Sequence, residues 1–149
     1  MRTVAQGPEG LAHSITTGHK RRMHLTALFV LTLSNQLHAV SGWLNKAELF
    51  ASGRGESPDG FLSLRLAPDM FPLTTQLRFL AFQAQEPVYR LRGRDVPENV
   101  LRVRQEGRDG GERPGTWSEA RVRMTEAADL LAERSALLPT DGPRRSIAG

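Results

Sequence analysis

Cysteine is absent from this chain of 149 residues, which removes disulfides, thiolate metal sites and cysteine nucleophiles together. That absence fits a reducing compartment and a cytoplasmic protein. Aromatic residues make up 6% of the chain and include a single tyrosine, so few rings are present to stack bases. No catalytic or metal-binding constellation appears along the chain, and no cofactor is implied. The glycines between Gly93 and Gly115 lack the GxGxxG spacing after a strand that a phosphate loop requires. The most apolar run, Leu25 to Leu33, passes into Ser34, Asn35, Gln36 and His38, which are too polar for a membrane span.

A chain of this length is one domain with a single core. Its apolar content of 39% is a little low, so some of it is expected to lie outside the packed core. The net charge is +4 and nearly all the cations are arginines. They are interleaved with acids and form no stripe, so a solvated surface is the plain reading and specific nucleic-acid binding is not expected. A basic nucleic-acid-associated protein stays as a second alternative function, testable by salt-dependent retention on DNA.

Residues 1–22 have no periodicity and end in Lys20-Arg21-Arg22, as a disordered basic tail would. Met23 follows directly and is a candidate start. The basic cluster and the apolar run after it also mimic a signal peptide, with Ala39-Val40-Ser41 as a loose cleavage site. The periodicity argues otherwise. Val30, Leu33, Leu37, Val40, Leu44, Ala47 and Ala51 recur at alternating spacings of three and four, a helical seam that continues past any cleavage site. This predicts a first helix over 24–52, stopped by Gly53 and Gly55. Ser57-Pro58-Asp59-Gly60 reads as a turn.

The most specific stretch is Arg65-Leu66-Ala67-Pro68-Asp69-Met70-Phe71-Pro72-Leu73. With Asp69 as N-cap, Pro72 falls in the first turn, where its missing N–H breaks no bond, so a helix is expected from Met70 to Leu91. Its seam is Leu73, Leu77, Leu80, Ala84 and Leu91, and Pro87 is expected to kink or end it near Gln83 to Glu86. Met70 and Phe71 read as core or interface residues, Trp43 and Trp117 as packing residues, and His38 as a polar edge residue. Arg65 and Asp69 could also form a ligand-facing pair. Residues 93–115 lack periodicity and read as a solvated crossover. Thr116-Trp117-Ser118-Glu119 has capping-box spacing and opens a third helix with Ala120, Met124, Ala127 or Ala128, and Leu131 on its apolar face. The packed domain spans 23–138, and 139–149 looks like a disordered tail.

Leu44-Asn45-Lys46-Ala47-Glu48, Arg54-Gly55, Arg65 to Leu73 and Gln76 resemble the signature "LDKAE…RG…RLAPDMFPL..Q" of an uncharacterised domain-of-unknown-function family grouped with DinB-like four-helix bundles. The resemblance covers residues 24–138. It implies an all-α, up-and-down bundle with three long helices here, and a fourth, aromatic- and histidine-bearing helix that such proteins carry beyond the point where this chain stops. The chain would then be a fragment. The metal-dependent activity of the wider group does not carry over, because His38 is the only histidine firmly inside an expected helix and about three protein ligands are needed. The expected function is a non-enzymatic or incomplete module that associates, with itself or with a helix from another chain, through an open apolar face. The alternative is an inactive fragment of a metal-dependent enzyme.

Overall fold

A computed structural model describes residues 25–136. The tail expectations for 1–22 and 139–149, the candidate start at Met23 and the domain limits at 23 and 138 lie outside them. The described residues form four α-helices, α1 (Leu25–Gly53), α2 (Leu73–Arg90), α3 (Glu98–Asp109) and α4 (Trp117–Ala136), with a 3₁₀ helix at Pro58–Ser63 and no strand. The chain is all-α. The three long helices are where the periodicity places them, and a shorter fourth lies in the stretch read as a crossover.

The α1 seam behaves as its spacing requires. Val30, Leu37, Leu44 and Ala51 are buried, and the alternate positions Leu33, Val40 and Ala47 pack at the edge of the same core. The helix runs unbroken from Leu25 to Gly53. Its long neighbour is α4, while it barely touches α2. The centre of the molecule is α2, which packs along both α3 and α4. That position explains why Thr74, Thr75, Leu77, Arg78, Ala81, Phe82, Ala84, Gln85 and Val88 are buried on more than one side of it. Leu91, expected in the seam, is 57% exposed just past the helix end.

Two helix-boundary expectations are corrected. Helix α2 starts at Leu73 with Pro72 as its N-cap, and no side chain caps it. Asp69 lies exposed in the preceding turn, three residues too early to reach the first free N–H groups. Pro87 neither ends nor shortens the helix, which continues to Arg90. Pro87 sits in the last turn, so only one backbone bond is lost, and buried Val88 holds that turn against the core. Leu91 N–H still donates to the Pro87 carbonyl at 2.9 Å.

The crossover expectation for 93–115 is also overturned. Val96, Val100, Val103, Gly107 and Gly110 are buried at spacings of four, three, four and three, a helical seam in which glycine fills the closest approaches. A Cβ on Gly107 would lie 2.6 Å from the Phe79 ring, and one on Gly110 2.6 Å from Thr75 Oγ1 and 2.9 Å from Thr74 Cγ2. Thr75 Oγ1 donates to the Gly107 carbonyl at 2.8 Å and Thr74 Oγ1 to the Pro114 carbonyl at 2.7 Å, stitching the end of α3 and its loop to α2.

At α4 the capping box forms as expected. Glu119 N–H donates to Thr116 Oγ1 at 3.2 Å, and Thr116 N–H donates to Glu119 Oε2 at 2.8 Å. The Trp117 N–H is taken up by Asp59 Oδ1 at 2.7 Å, a distant carboxylate that the local sequence did not announce. The stretch read as a turn is the 3₁₀ helix that carries this group, capped by Ser57. These two termini give a paired prediction. Thr116→Ala should lower stability by about 1 kcal/mol, and Asp69→Ala should stay within about 0.5 kcal/mol of the parent. Urea unfolding of both variants checks the contrast, and equal losses would return Asp69 to a capping role.

Candidate functional site: an apolar groove at the signature segment

The segment between the 3₁₀ helix and α2 folds into a tight loop. Met70 N–H donates to the Ala67 carbonyl at 3.0 Å, and Leu73 N–H reaches back to the Leu64 carbonyl at 2.9 Å, closing the loop at its base. The Arg65 Nη1 donates to the Met70 carbonyl across it. Arg65 therefore clamps the backbone of the loop, and Asp69 is not among the residues that line the groove beside it.

Held in this way, the loop turns apolar side chains outward. Leu66 is 93% exposed, Leu64 61%, Phe71 60% and Met70 41%. With Phe61, Arg65, Leu73 and Gln76 they line a groove of about 580 Å³. Of the signature residues, Arg65, Leu66, Met70, Phe71, Leu73 and Gln76 are brought together there. Ala67, Pro68, Asp69 and Pro72 are not among the lining residues: Pro72 is buried beneath, Ala67 is half-buried, and Pro68 and Asp69 face solvent. Met70 and Phe71 are thus not core residues. Phe71 is steadied by an edge-on contact with Phe79, ring centres 5.8 Å apart. Phe61 leads inward from the groove, with its ring 6.5 Å from Phe50 and edge-on to Trp117 at 6.2 Å.

Trp117 is a packing residue as expected, 4% exposed, and its indole N–H points to Glu48 Oε2 at 3.4 Å. Trp43 is not, being 64% exposed on α1. His38 is exposed, and no group of three or more His, Cys, Asp or Glu able to hold a metal occurs among the described residues.

A second constellation escaped the sequence reading altogether. Arg78, Glu106 and Arg123, from α2, α3 and α4, meet in a cleft of about 260 Å³ with Asp109, Arg113, Gly115 and Glu119. Arg123 holds Glu106 by two bonds of 2.6 and 3.0 Å and also reaches Glu126 at 3.1 Å. Arg78 is 3% exposed; its Nη1 donates to Thr74 Oγ1, and its Nε faces Glu106 Oε2 at 3.4 Å as an ion pair without hydrogen-bond geometry. Gly115 adopts a φ of +70°, and a Cβ there would lie 2.7 Å from the Arg78 Nη2. The bonds from Arg123 first, and then the charges of Arg123 and Arg78, hold the Glu106 carboxyl below its ordinary value against the opposing effect of burial. Asp109 is paired with Arg113 at 3.1 Å, and Glu119 caps α4. Each acid in the cleft already has a partner from the chain, which makes this a structural lock between helices. Its members lie far apart in sequence, so spacing could not have revealed it.

The described residues thus form an all-α helical domain with an apolar groove on its surface. The match that places it in a family covers residues 25–137: the chain belongs to the family described as a domain of unknown function (DUF1993). No curated protein and no solved structure matches the chain.

Proposed function

We propose that this chain is a non-enzymatic module of DinB-like type, cytoplasmic, that works by association through its open apolar surface, either with itself or with a helix supplied by another chain. The carrying observation is the groove of the signature segment, where Leu66 stands 93% exposed beside Leu64, Met70 and Phe71. A loop built only to join two helices has no reason to hold these side chains in water. Apolar patches with polar rims mark interaction sites, and Arg65 and Gln76 supply such a rim.

Gel filtration of a native extract, with the full chain detected by antibody, tests the reading. The chain should migrate well above its monomer mass, and Leu66→Glu with Phe71→Glu should shift it to a smaller size. A chain that runs as a monomer in the extract would overturn the proposal.

A further inference from the structure

Helix α1 is apolar on two sides, and the fold covers one of them. The inner row of Val30, Leu37, Leu44 and Ala51 is buried in the core. On the other side Leu28, Leu31, Trp43, Leu49 and Phe50 are exposed by 44, 58, 64, 73 and 59%. At 3.6 residues per turn these five fall within about a third of the helix circumference, roughly opposite the inner row, and share that sector with Ala39, Gly42, Thr32, Asn35 and Lys46. Charge is missing from the same stretch. From Leu25 to Asn45 the helix has no Asp, Glu, Lys or Arg, although 24% of the chain is charged. A second row of exposed large apolar side chains, besides the one turned to the core, is more than a solvent-facing helix side needs. Loss of charge together with an outward tryptophan is the compositional mark of the centre of a protein interface. Among the described residues no helix is long and apolar enough to cross a membrane. A face with Lys46 as its single cation also has little attraction for anionic lipid headgroups.

We infer that the outer face of α1 is covered by the same face of a second copy of this chain, the two α1 helices packing about a two-fold axis. This rests on the associative reading above only in that the chain associates, and it assigns a second copy to a surface separate from the signature groove. In such a pair each surface meets itself, so a charged face would repel its copy, and this one is uncharged except for Lys46 toward its C-terminal end. The area agrees. The five side chains leave on the order of 600 Å² in water, at the top of what a typical monomer exposes in one patch. Pairing buries about 1,200 Å² in total, the lower bound of a specific interface. Ala39 and Gly42 mark the middle of the stripe, and a Cβ on Gly42 would have nothing within 4 Å, so the backbones have room to approach there.

Sedimentation of the purified full chain is the first test, and twice the monomer mass is expected. Leu31→Glu with Leu49→Glu should weaken self-association by about 100-fold, since like carboxylates are forced together. Helix content by circular dichroism should stay unchanged, and Leu66→Glu in the signature groove should leave the dimer intact. The chain has no cysteine, so a single introduced thiol reports directly. Ala39→Cys, at the midpoint of the stripe, should cross-link to a covalent dimer under mild oxidation, and Ser52→Cys, off the stripe, should not. The cross-link decides the matter if the double glutamate variant fails to fold. A purified chain that stays monomeric at about 100 µM overturns the inference, that concentration being well above the dissociation constant of a specific dimer. A dimer that survives the glutamates, or an Ala39→Cys chain that does not cross-link, overturns it equally. If the purified chain is a monomer while the extract form is large, this inference fails and the associative reading stands. If both are monomers, both fail.

Discussion

Glu106→Ala should lower the unfolding free energy by about 3 kcal/mol, because it leaves a buried cation without its counter-charge. Arg78 is 3% exposed, and besides facing Glu106 it donates to the Thr74 hydroxyl. The same change removes both bonds from Arg123 to Glu106, so α3 loses this tie to α4 as well as its ion pair to α2. Urea unfolding measures the loss, and an unchanged dependence on denaturant would place it in the folded state. Replacing both partners, as in Arg78→Met with Glu106→Leu, should recover much of the loss, since a buried ion pair replaced by apolar groups is often neutral. A loss below about 1 kcal/mol for Glu106→Ala would show the cluster to be no more than a surface ion pair. The pH dependence follows from the depressed carboxyl. A group whose pKa is lowered on folding stabilises the protein above its unfolded value, near 4.5 for this carboxyl, and the contribution is lost as pH falls below that value. The parent should therefore lose stability on acidification more steeply than Glu106→Gln.

Trp117→Ala should cost about 3–5 kcal/mol, the range for truncating a buried large aromatic side chain. Trp117 is 4% exposed, packs edge-on against Phe61, and ties α4 to α1 through Glu48, which Arg121 also reaches at 3.3 Å. Trp117→Phe keeps most of the ring packing and loses only the 3.4 Å indole bond, so its loss should be under half as large. Equal losses in the two variants would move the weight from packing to the indole N–H. Urea unfolding followed by circular dichroism measures both losses, since each variant lacks the buried tryptophan and the remaining Trp43 is exposed.

Where several local signals agreed, the chain was legible. The three-four spacing of α1 named the residues that are buried, because a helix of that length must turn one face inward whatever it meets. The Thr116–Glu119 box was equally readable, since both of its bonds lie within four residues. Local reading failed where a residue's role depends on another segment. Gly107 and Gly110 look like breakers by propensity, yet they let α3 press against Thr74 and Thr75 of α2. Asp69 looks like a cap by offset and caps nothing, while Asp59, read as part of a turn, takes the Trp117 N–H at the start of α4 across 58 positions. The signature segment could be recognised as distinctive, but its outward-facing side chains could not be foreseen from an apolar run that reads equally well as core.

The sequence by itself determined that the chain is all-α, where its three long helices lie, which face of α1 is buried, and its membership of a domain-of-unknown-function family over residues 25–137. Only the tertiary structure decided that 98–109 is a helix, that Arg78, Glu106 and Arg123 form one lock, and that Leu66, Met70 and Phe71 stand in a groove. The physical reason is range. Helix periodicity and capping act over three or four residues and are written in local spacing. Close approach through glycine, the pairing of buried charge and the exposure of a side chain are set by segments distant in sequence, and they exist only once the helices have packed.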